Sequence, residues 1–349
     1  MAPLHRVFPE SATTVVVSVL CGHSLGMNEY DVVVIGGGAA GLSAALVLTR
    51  ARRQVAVVDA GEPRNAPAAH MQGFLGSDGV PPTDLLSAGR EEVTGYGGHF
   101  IRGRVIDVAA VGPTSPANGN RRRFDVTLDD GSTLRTRRVL VTTGLRDDTP
   151  DLPGVRERWG RDLLHCPYCH GYEVRDRPLG VLAGPPEQIN LAVAHAHLIR
   201  QWSSDVVFFI NGAKLTADQR EQFVARAIGV VDESVTRLVV ENNQLTGVEL
   251  ESGHVVRRAA VFVRPHFVPN DDLLVRLGCA THENGWVAAD ATGRTSVPGV
   301  WAAGNAVNPR AQVITAAGEG SAAAIAINND LVDEDLPIAV VNFRLGLPV

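Results

Sequence analysis

Two segments near the start of the chain are continuously apolar and rich in β-branched residues. They cover residues 30–35 and 54–58. Such runs are typical of parallel strands that are buried on both faces. Residues 42–50, which lie between them, are rich in Ala and Leu and favour a helix. The pattern therefore predicts a strand–helix–strand unit at the start of an α/β fold.

The turn between the first strand and the helix is rich in glycine. Gly36, Gly38 and Gly41 form a G-x-G-x-x-G motif in the strand–turn–helix setting that this motif requires. Glycines at these positions permit close approach of backbone N–H groups to a pyrophosphate at the helix N-terminus. Asp59 follows the second strand about 20 residues on, where a carboxylate can bind an adenosine ribose. Together these features predict a dinucleotide site.

A second motif near the other end of the chain indicates which dinucleotide is bound. Residues 296–305 end in Gly304-Asn305 and precede a small-residue segment, 312–329, that favours a helix. This arrangement resembles the second flavin motif of the flavoproteins with two dinucleotide-binding domains. There a strand ends in Gly-Asp and the next helix points its N-terminus at the flavin, where its dipole stabilises negative charge. An amide still forms hydrogen bonds, so FAD is the predicted cofactor although Asn305 replaces the Asp; the alternative is a small-residue helix packed on a sheet.

Composition narrows the functional class. The chain has 349 residues, enough for two domains, and its apolar share of 45% and charged share of 20% are those of a globular protein. A net charge of −6 gives no basic surface for nucleic acid, so we expect a small-molecule or protein substrate. No run approaches the roughly 18 apolar residues that a membrane span needs.

The cysteines and the N-terminal segment complete this picture. Only four cysteines occur and only one close pair is present, which agrees with a reducing cytoplasm. Residues 1–27 have a short apolar run and an acidic residue, so we interpret them as a disordered extension rather than a secretion signal.

The close pair of cysteines is the most informative feature of the middle of the chain. Cys166 and Cys169 form a C-x-x-C motif, which can cycle between dithiol and disulfide. His170 follows directly and can move the proton that each thiol–disulfide step requires. Zinc is the alternative, with His165 as a further possible ligand, but the sequence has no second C-x-x-C and no H-x-x-x-H. We therefore predict a redox pair and no metal.

Two further histidines lie downstream of the cysteines. His195 and His197 fall two positions apart on a predicted helix, hence on different faces, and we interpret them as ordinary surface or core residues.

The order of these motifs over residues 28–335 resembles the thioredoxin reductase family. Three segments resemble in particular the small-molecule dithiol oxidases of holomycin, gliotoxin and romidepsin biosynthesis. They are Arg64-Asn65-Ala66-Pro67, Cys166-Pro167-Tyr168-Cys169-His170-Gly171-Tyr172-Glu173 and Ala311-Gln312-Val313.

The resemblance implies a fold, a cofactor site and a homodimer. It implies two Rossmann-like three-layer α/β domains, with FAD bound by residues 28–148 and 267–349. Residues 149–266 would form a degenerate NAD(P)-binding-like domain that carries the cysteines. Besides the two motifs, flavin contacts are expected at Ala39, Ala40, Ala60, Arg64, Asn65, Val105, Thr143, Gly144, Gln312 and Val313.

The resemblance also implies roles for the redox residues. A substrate thiolate would attack Cys166, and Cys169 would lie against the flavin. His170 stands where the thioredoxin reductases have an Asp, so its role as the proton carrier depends on its chemistry more than on the family.

The second nucleotide site of the family is missing from the sequence. Between a strand at 179–183 and a helix at 187–201 lies Gly184-Pro185-Pro186-Glu187, with no G-x-G-x-x-G. Each proline lacks the N–H that would bind phosphate, and Glu187 adds a negative charge. Lys214 stands where the reductases have an arginine cluster for the 2′-phosphate, and a single lysine is a poor substitute.

This absence predicts the direction of electron flow. We expect a dithiol oxidase in which a small-molecule dithiol reduces the cysteines, the flavin takes the electrons, and dioxygen accepts them as hydrogen peroxide. An NADPH-dependent disulfide reductase and a flavin-bound redox sensor without turnover remain as alternatives. The apolar segment 340–345 is expected to pack at a dimer interface or along the substrate cleft.

Overall fold

The computed structural model describes residues 29–112 and 123–347. The predicted disordered extension, residues 1–27, lies outside the described residues. In chain order the described elements are β1 (Glu29–Ile35), α1 (Ala39–Arg50), β2 (Val55–Asp59), α2 (Pro82–Gly95), β3 (His99–Arg102), β4 (Val105–Val111), β5 (Arg123–Leu128), β6 (Thr133–Val141), β7 (Leu145–Asp148), α3 (Val155–Arg158), β8 (Leu163–Leu164), α4 (Pro167–His170), β9 (Leu179–Leu182), α5 (Ile189–Ile199), β10 (Val206–Phe209), α6 (Ala217–Ala225), β11 (Ile228–Val231), β12 (Val235–Glu241), β13 (Gln244–Leu250), β14 (Val255–Arg257), β15 (Ala260–Val263), β16 (His266–Pro269), α7 (Asp272–Arg276), β17 (Val300–Ala302) and α8 (Val313–Arg344).

The first sheet has the order β3-β2-β1-β6-β5-β4, and β17 pairs with the later part of β6. Strands β3, β2, β1, β6 and β17 are parallel, whereas β4 and β5 extend the sheet as antiparallel neighbours. Apolar residues fill both faces of the central strands, as the continuous apolar runs predict. Helices α1 and α8 cover one face of this sheet.

The second sheet is entirely parallel and has the order β11-β10-β9-β15-β8. Helices α5 and α6 pack on one face, and a three-stranded antiparallel sheet, β12-β13-β14, packs on the other. Both halves therefore have three layers, which confirms the predicted α/β fold class. The exact domain limits given above stay a prediction.

The chain passes between the two sheets through a paired connection. Strand β7 follows β6 of the first sheet, β16 follows β15 of the second, and the two pair antiparallel, with Leu145 opposite Pro269 and Asp148 opposite His266. The two crossings are thus hydrogen-bonded to each other, which keeps the two halves in contact close to the predicted site.

Helix α8 is longer than the sequence pattern predicts. The predicted helix ends at residue 329, whereas α8 has 32 residues and continues through Pro337 to Arg344. Two buried arginines of β6 tie its middle to the first sheet, since Arg138 binds Asp330 and Glu334 and Arg137 binds Asp335. These ion pairs fix the helix beyond its last fully buried residue, Leu331.

A helix that crosses a membrane is long and continuously apolar. Within the ranges 29–112 and 123–347, none is long and apolar enough to cross a membrane.

Candidate functional site

The glycine turn after β1 is packed too tightly for side chains at two of its three motif positions. A Cβ on Gly36 would lie 2.5 Å from the carbonyl oxygen of Thr142, and one on Gly41 would lie 1.9 Å from that of Gly36. Gly36 also has a φ of +105°, which L-residues with a side chain rarely adopt. The sequence therefore needs glycine at both positions to bring β1, β6 and α1 together.

The third motif glycine faces open space. No atom lies within 4 Å of a Cβ built on Gly38, which caps α1 without a side-chain hydrogen bond. The first turn of α1 contains no acidic residue, and no side chain caps its N–H groups. Ala39 and Ala40 begin the helix there, and this arrangement fits a pyrophosphate.

Asp59, at the end of β2, lies beside this turn. Its Oδ1 accepts a hydrogen bond from the backbone N–H of Gly37 at 3.0 Å, and its Oδ2 pairs with Arg90 at 3.2 Å. An ionised carboxylate has about four lone-pair sites. Acceptor capacity thus remains for a ribose, and Ala60 continues the chain from this point.

Thr142 is a residue of this turn that the sequence analysis missed. Its hydroxyl donates to the carbonyl oxygens of Ile35 at 3.0 Å and Gly36 at 2.8 Å, which joins the end of β6 to the glycine turn. A single threonine after an apolar run carries no recognisable sequence signal, because its partners lie more than a hundred positions away.

The second predicted motif meets the first through small residues. A Cβ on Gly304 would lie 3.0 Å from that of Ala40, and one on Gly320 would lie 2.0 Å from the carbonyl oxygen of Ala40. Helices α1 and α8 therefore approach at backbone distance. The structure brings the two predicted flavin motifs, which are far apart in the sequence, to the same place.

Asn305 uses both ends of its side-chain amide. Its Nδ2 donates to the carbonyl oxygens of Asn308 at 2.9 Å and Ala311 at 3.0 Å, and its Oδ1 accepts from Arg64 at 3.3 Å. An aspartate could not donate the first two bonds. The departure from the family's Asp thus has a local cause, which is the folding of the turn before α8.

Arg64 holds this turn to the connection between the sheets. Its guanidinium makes two hydrogen bonds to Asp147, at 2.8 and 2.6 Å, and lies 5.1 Å from the ring centre of Phe267 on β16. Arg64 was predicted as a flavin contact, and its charge is in fact matched by Asp147, which the sequence analysis did not identify. Asn65 lies in the same turn and accepts a backbone hydrogen bond from Ala68.

The remaining predicted flavin contacts lie at strand ends and at the start of α8, and their contact with a flavin stays a prediction. Gln312 caps α8 ahead of Val313 without a side-chain hydrogen bond, and a Cβ on Gly73 would lie 3.9 Å from its Oε1. The hydroxyl of Thr143 donates to the backbone carbonyl of Asn270, and the next residue, Gly144, has a φ of +71°. Val105 begins β4, and its side chain is buried in the core of the first sheet.

Cys166 and Cys169 form a disulfide in the structure, with their Cα atoms 5.3 Å apart. Cys166 precedes the single-turn helix α4, and its carbonyl oxygen accepts hydrogen bonds from the N–H groups of Cys169 and His170. The pair therefore stands at the start of a helix, although that helix has only four residues.

The cysteine turn rests on Trp202. A Cβ on Gly171 would lie 2.9 Å from the Trp202 ring, and the Tyr168 ring packs edge-on against the same indole at 5.6 Å. Beside them lies an open groove of about 550 Å³. Its lining residues are Tyr168, His197, Leu198, Gln201, Trp202 and Arg226.

Three histidines surround the cysteine turn. Burial lowers the pKa of His170, although the nearby Glu173 opposes this effect, so the imidazole stays neutral and able to accept a proton. Burial lowers the pKa of His165 to about 4 and that of His195 to about 3. The His165 and His195 rings lie 5.9 Å apart.

His195 has a closer relation to the site than the sequence analysis assumed. The backbone carbonyl of His165 lies near its ring, but neither ring nitrogen makes a well-formed hydrogen bond to a described residue. His197 is half-buried and packs on Phe223 at 5.0 Å between ring centres. The two histidines lie on different faces of α5, so His195 packs against His165 whereas His197 lines the groove beside Tyr168.

A chain of contacts connects the cysteine turn with the second flavin motif. The ring of His165, next to Cys166, lies 5.0 Å from that of Phe267. Phe267 packs on Arg64, which in turn binds Asn305. The predicted redox and flavin residues thus belong to one region between the two sheets.

The second nucleotide loop has the features predicted from its sequence. After β9 the chain forms a short 3₁₀ turn, Pro186–Gln188, which contains Glu187, and only then enters α5. After β10, the Oδ1 of Asn211 accepts the backbone N–H of Val235 and so closes that loop on β12. Lys214 is exposed. This end of the second sheet offers no glycine turn for a phosphate.

Metal ions in proteins are held by clusters of His, Cys, Asp or Glu side chains. In these parts of the chain, no group of three or more His, Cys, Asp or Glu side chains could hold a metal ion.

Comparisons with known proteins agree with this geometry. The family model described as pyridine nucleotide-disulphide oxidoreductase matches residues 30–320. The thioredoxin reductase sirT of Leptosphaeria maculans is 31% identical over 88% of this chain and 96% of its own length.

Two solved structures extend the comparison to the fold. The crystal structure of HlmI is 58% identical, with a TM-score of 0.85 over 90% of this chain and 96% of that chain. The oxidoreductase from Agrobacterium tumefaciens is 34% identical, with a TM-score of 0.78 over 87% of this chain and 99% of that chain. The chain therefore belongs to the pyridine nucleotide-disulphide oxidoreductase family of flavoproteins, in its thioredoxin reductase-like branch, and is an oxidoreductase that acts on disulfides.

Proposed function

We propose that this protein is an FAD-dependent dithiol oxidase that closes a disulfide in a small-molecule dithiol, with dioxygen as acceptor and hydrogen peroxide as product. The observation that carries this proposal is the loop between β9 and α5. It places Pro185, Pro186 and Glu187 where a pyrophosphate would need N–H groups, while the cysteine pair is intact. An enzyme without a nicotinamide site needs another source of electrons. Its disulfide can accept electrons from a dithiol.

FAD fits the residues around the glycine turn. The open space at Gly38 and the uncapped start of α1 suit the pyrophosphate, and Asp59 suits the ribose. The uncapped N-terminus of α8, at Gln312, suits the flavin end. When bound, FAD supplies a two-electron acceptor that dioxygen can reoxidise.

The cysteines perform the thiol–disulfide exchange. A substrate thiolate attacks the sulfur of Cys166, the bond between Cys166 and Cys169 breaks, and Cys169 leaves as a thiolate. The second substrate thiol loses its proton and attacks the substrate sulfur of the mixed disulfide, which releases the Cys166 thiolate and the product disulfide. The pair then holds the two electrons, with Cys169 assigned to the flavin side.

His170 is assigned as the proton carrier of these steps. It follows Cys169 directly, at the end of α4. Because burial lowers its pKa, it is neutral near neutral pH and can accept the proton of the second substrate thiol.

Rapid anaerobic mixing tests the direction of electron flow. The purified yellow holoenzyme is mixed separately with NADPH and with dithiothreitol, and flavin absorbance is followed. Fast bleaching by the dithiol and none by NADPH supports the oxidase. Fast bleaching by NADPH alone overturns it, and bleaching by neither reagent supports a redox sensor.

An NADPH-dependent disulfide reductase is the second candidate. The observation in its favour is the similarity to sirT, which is named as a thioredoxin reductase and aligns over most of both chains. The same mixing experiment decides between the two, since only the reductase needs NADPH.

We also propose that the protein is a cytoplasmic homodimer. Beyond Leu331, one face of α8 presents an exposed apolar stripe of Val332, Leu336, Val340 and Phe343. Their spacing of three and four positions puts them on one side of the helix. This apolar stripe supports a subunit interface, one of the two roles expected for residues 340–345. The cytoplasmic location is supported by the buried free Cys279, which is unpaired among the described residues.

A further inference from the structure

Arg264 lies beside Cys166, the cysteine that the substrate thiolate attacks, because of the register of two short strands. Leu163 of β8 pairs with Val261 of β15, and Leu164 pairs with Phe262. The alignment continues one step further, since Nδ1 of His165 lies 3.3 Å from the carbonyl oxygen of Val263. The residue after His165 is Cys166, and the residue after Val263 is Arg264. Cys166 is still extended, with φ −93° and ψ 111°, and neighbouring strands lie about 4.8 Å apart.

The charge of Arg264 has no acidic partner in the part of the chain that the structure describes. Its guanidinium is half-buried, and the charged or titratable groups that act on it or lie near it are Arg310, His165 and His195. The carboxylate of Asp147 lies in the same region but already forms an ion pair with Arg64. A half-buried cation without a counter-charge is costly, so the site favours an anion.

Arg310 comes from the flavin side of the cleft. It lies in the turn between Asn305 and α8, and its own side chain is exposed. Burial lowers the pKa of Arg264 below its usual range, and the positive charge of Arg310 lowers it further. The two arginines come from opposite halves of the protein, and Arg264 is the one that the strand register brings level with Cys166.

We propose that Arg264, assisted by Arg310, forms an anion subsite at Cys166 that binds the negatively charged group of a small anionic dithiol. This inference rests on the proposed oxidase function and specifies its substrate class. The guanidinium would hold a carboxylate of the substrate and stabilise the attacking thiolate, while Arg264 itself undergoes no covalent change. Arg264 is thus a specificity residue and not a thiol-exchange residue.

The first test measures charge preference at the Cys166 sulfur without any turnover. The holoenzyme is reduced anaerobically, and Cys166 is alkylated by iodoacetate, an anion, or by iodoacetamide, its neutral counterpart. In both reactions the thiolate forms a carbon–sulfur bond and iodide leaves. Peptide mass spectrometry gives the two rates, and the ratio of rates for glutathione serves as the reference.

The wild type is expected to prefer iodoacetate at least threefold more than glutathione does. Arg264→Gln should abolish that preference, whereas Arg264→Lys should keep most of it because it keeps the charge. The matched control is Arg156→Gln on α3, an exposed arginine whose loss should leave the ratio unchanged. An equal ratio in the wild type and Arg264→Gln overturns the subsite.

The second test uses two dithiols that differ only in charge. Dihydrolipoate carries a carboxylate and dihydrolipoamide a neutral amide, and both are assayed by oxygen uptake. The wild type should show a KM at least fivefold lower for dihydrolipoate, and Arg264→Gln should remove the difference with little change in kcat.

The two tests separate the two proposals. If neither dithiol is oxidised while the alkylation ratio still depends on Arg264, the oxidase function fails and the anion subsite stands. If both dithiols are oxidised with equal KM and the alkylation ratio does not change, the oxidase stands and the subsite fails. Loss of flavin from Arg264→Gln with an unchanged ratio would show that Arg264 serves the cofactor, and this also overturns the proposal.

Discussion

The side-chain oxygen of Asn305 accepts a hydrogen bond from the guanidinium of Arg64, with 3.3 Å between Oδ1 and Nη1. At its other end the same amide donates to two backbone carbonyls of the turn before α8. Asn305, which departs from the family pattern, therefore joins the second flavin motif to Arg64 and so to the contacts on the cysteine side.

Restoring the family's aspartate at this position should destabilise the protein. In Asn305→Asp a carboxylate faces the carbonyl oxygens of Asn308 and Ala311, and two donated bonds are lost, which costs about 1–3 kcal/mol. The free energy of unfolding in urea measures the effect. Asn284→Asp is the control, because Asn284 is exposed and uses only its oxygen as an acceptor. Equal stability of both variants would contradict the role assigned to the Asn305 amide.

A methyl group at Gly171 should disturb the cysteine turn. Its Cβ would lie 2.5 Å from the carbonyl oxygen of Pro167 and 2.9 Å from the Trp202 ring, so the ring or the turn must move. Overpacking of this kind costs about 1–3 kcal/mol. We expect Gly171→Ala to lower stability and to change the tryptophan fluorescence. Gly95→Ala, which meets no atom within 4 Å, should do neither, and a wild-type spectrum in Gly171→Ala would refute the contact.

His195 should make the stability of the protein depend on pH. Burial lowers its pKa from 6.5 to about 3, so below pH 6.5 the unfolded chain binds a proton that the folded protein does not. Stability is therefore complete above pH 6.5 and decreases as the pH falls toward 3. Near pH 5 this loss is on the order of 2 kcal/mol.

Replacement of His195 removes that contribution. Between about pH 7 and pH 5 the free energy of unfolding of His195→Leu should decrease by about 2 kcal/mol less than that of the wild type. Urea unfolding at each pH measures this difference. His254→Leu, at an exposed histidine, should follow the wild type. The same pH dependence in His195→Leu and the wild type would disprove the assignment.

The apolar stripe of α8 should control the oligomeric state. Two acidic substitutions, Leu336→Glu with Phe343→Glu, place charges in the proposed interface and should convert the dimer to a monomer in sedimentation or light scattering. Leu191→Glu, at an exposed leucine of α5, should remain a dimer. A monomeric wild type, or a dimeric double variant, would exclude this interface.

The parts of the fold that the sequence predicted are those determined by local patterns. The apolar runs of β1 and β2, the glycine turn and the cysteine pair each carry their signal within a few residues. The proline-containing loop before α5 is of the same kind, because a missing N–H is visible in the sequence itself.

The parts that the sequence did not predict depend on distant pairings. Arg264 lies beside Cys166 only because β15 pairs with β8, and Arg64 finds Asp147 only through the connection between the sheets. The predicted end of α8 was wrong because Pro337 and the polar residues before it favour an earlier end of the helix. Ion pairs with Arg137 and Arg138 hold that part of the helix on the first sheet. Sequence spacing does not reveal these pairs, because both arginines lie far from α8 in the chain.

The central claim is that electrons pass from a dithiol through Cys166 and Cys169 to dioxygen without NADPH. Its most direct test is the stoichiometry of oxygen uptake, peroxide formation and disulfide formation with dithiothreitol as the only reductant. We predict one oxygen consumed and one hydrogen peroxide formed per disulfide, with no uptake in Cys166→Ser. Oxygen uptake that begins only after NADPH is added, or that persists undiminished in Cys166→Ser, would contradict the account.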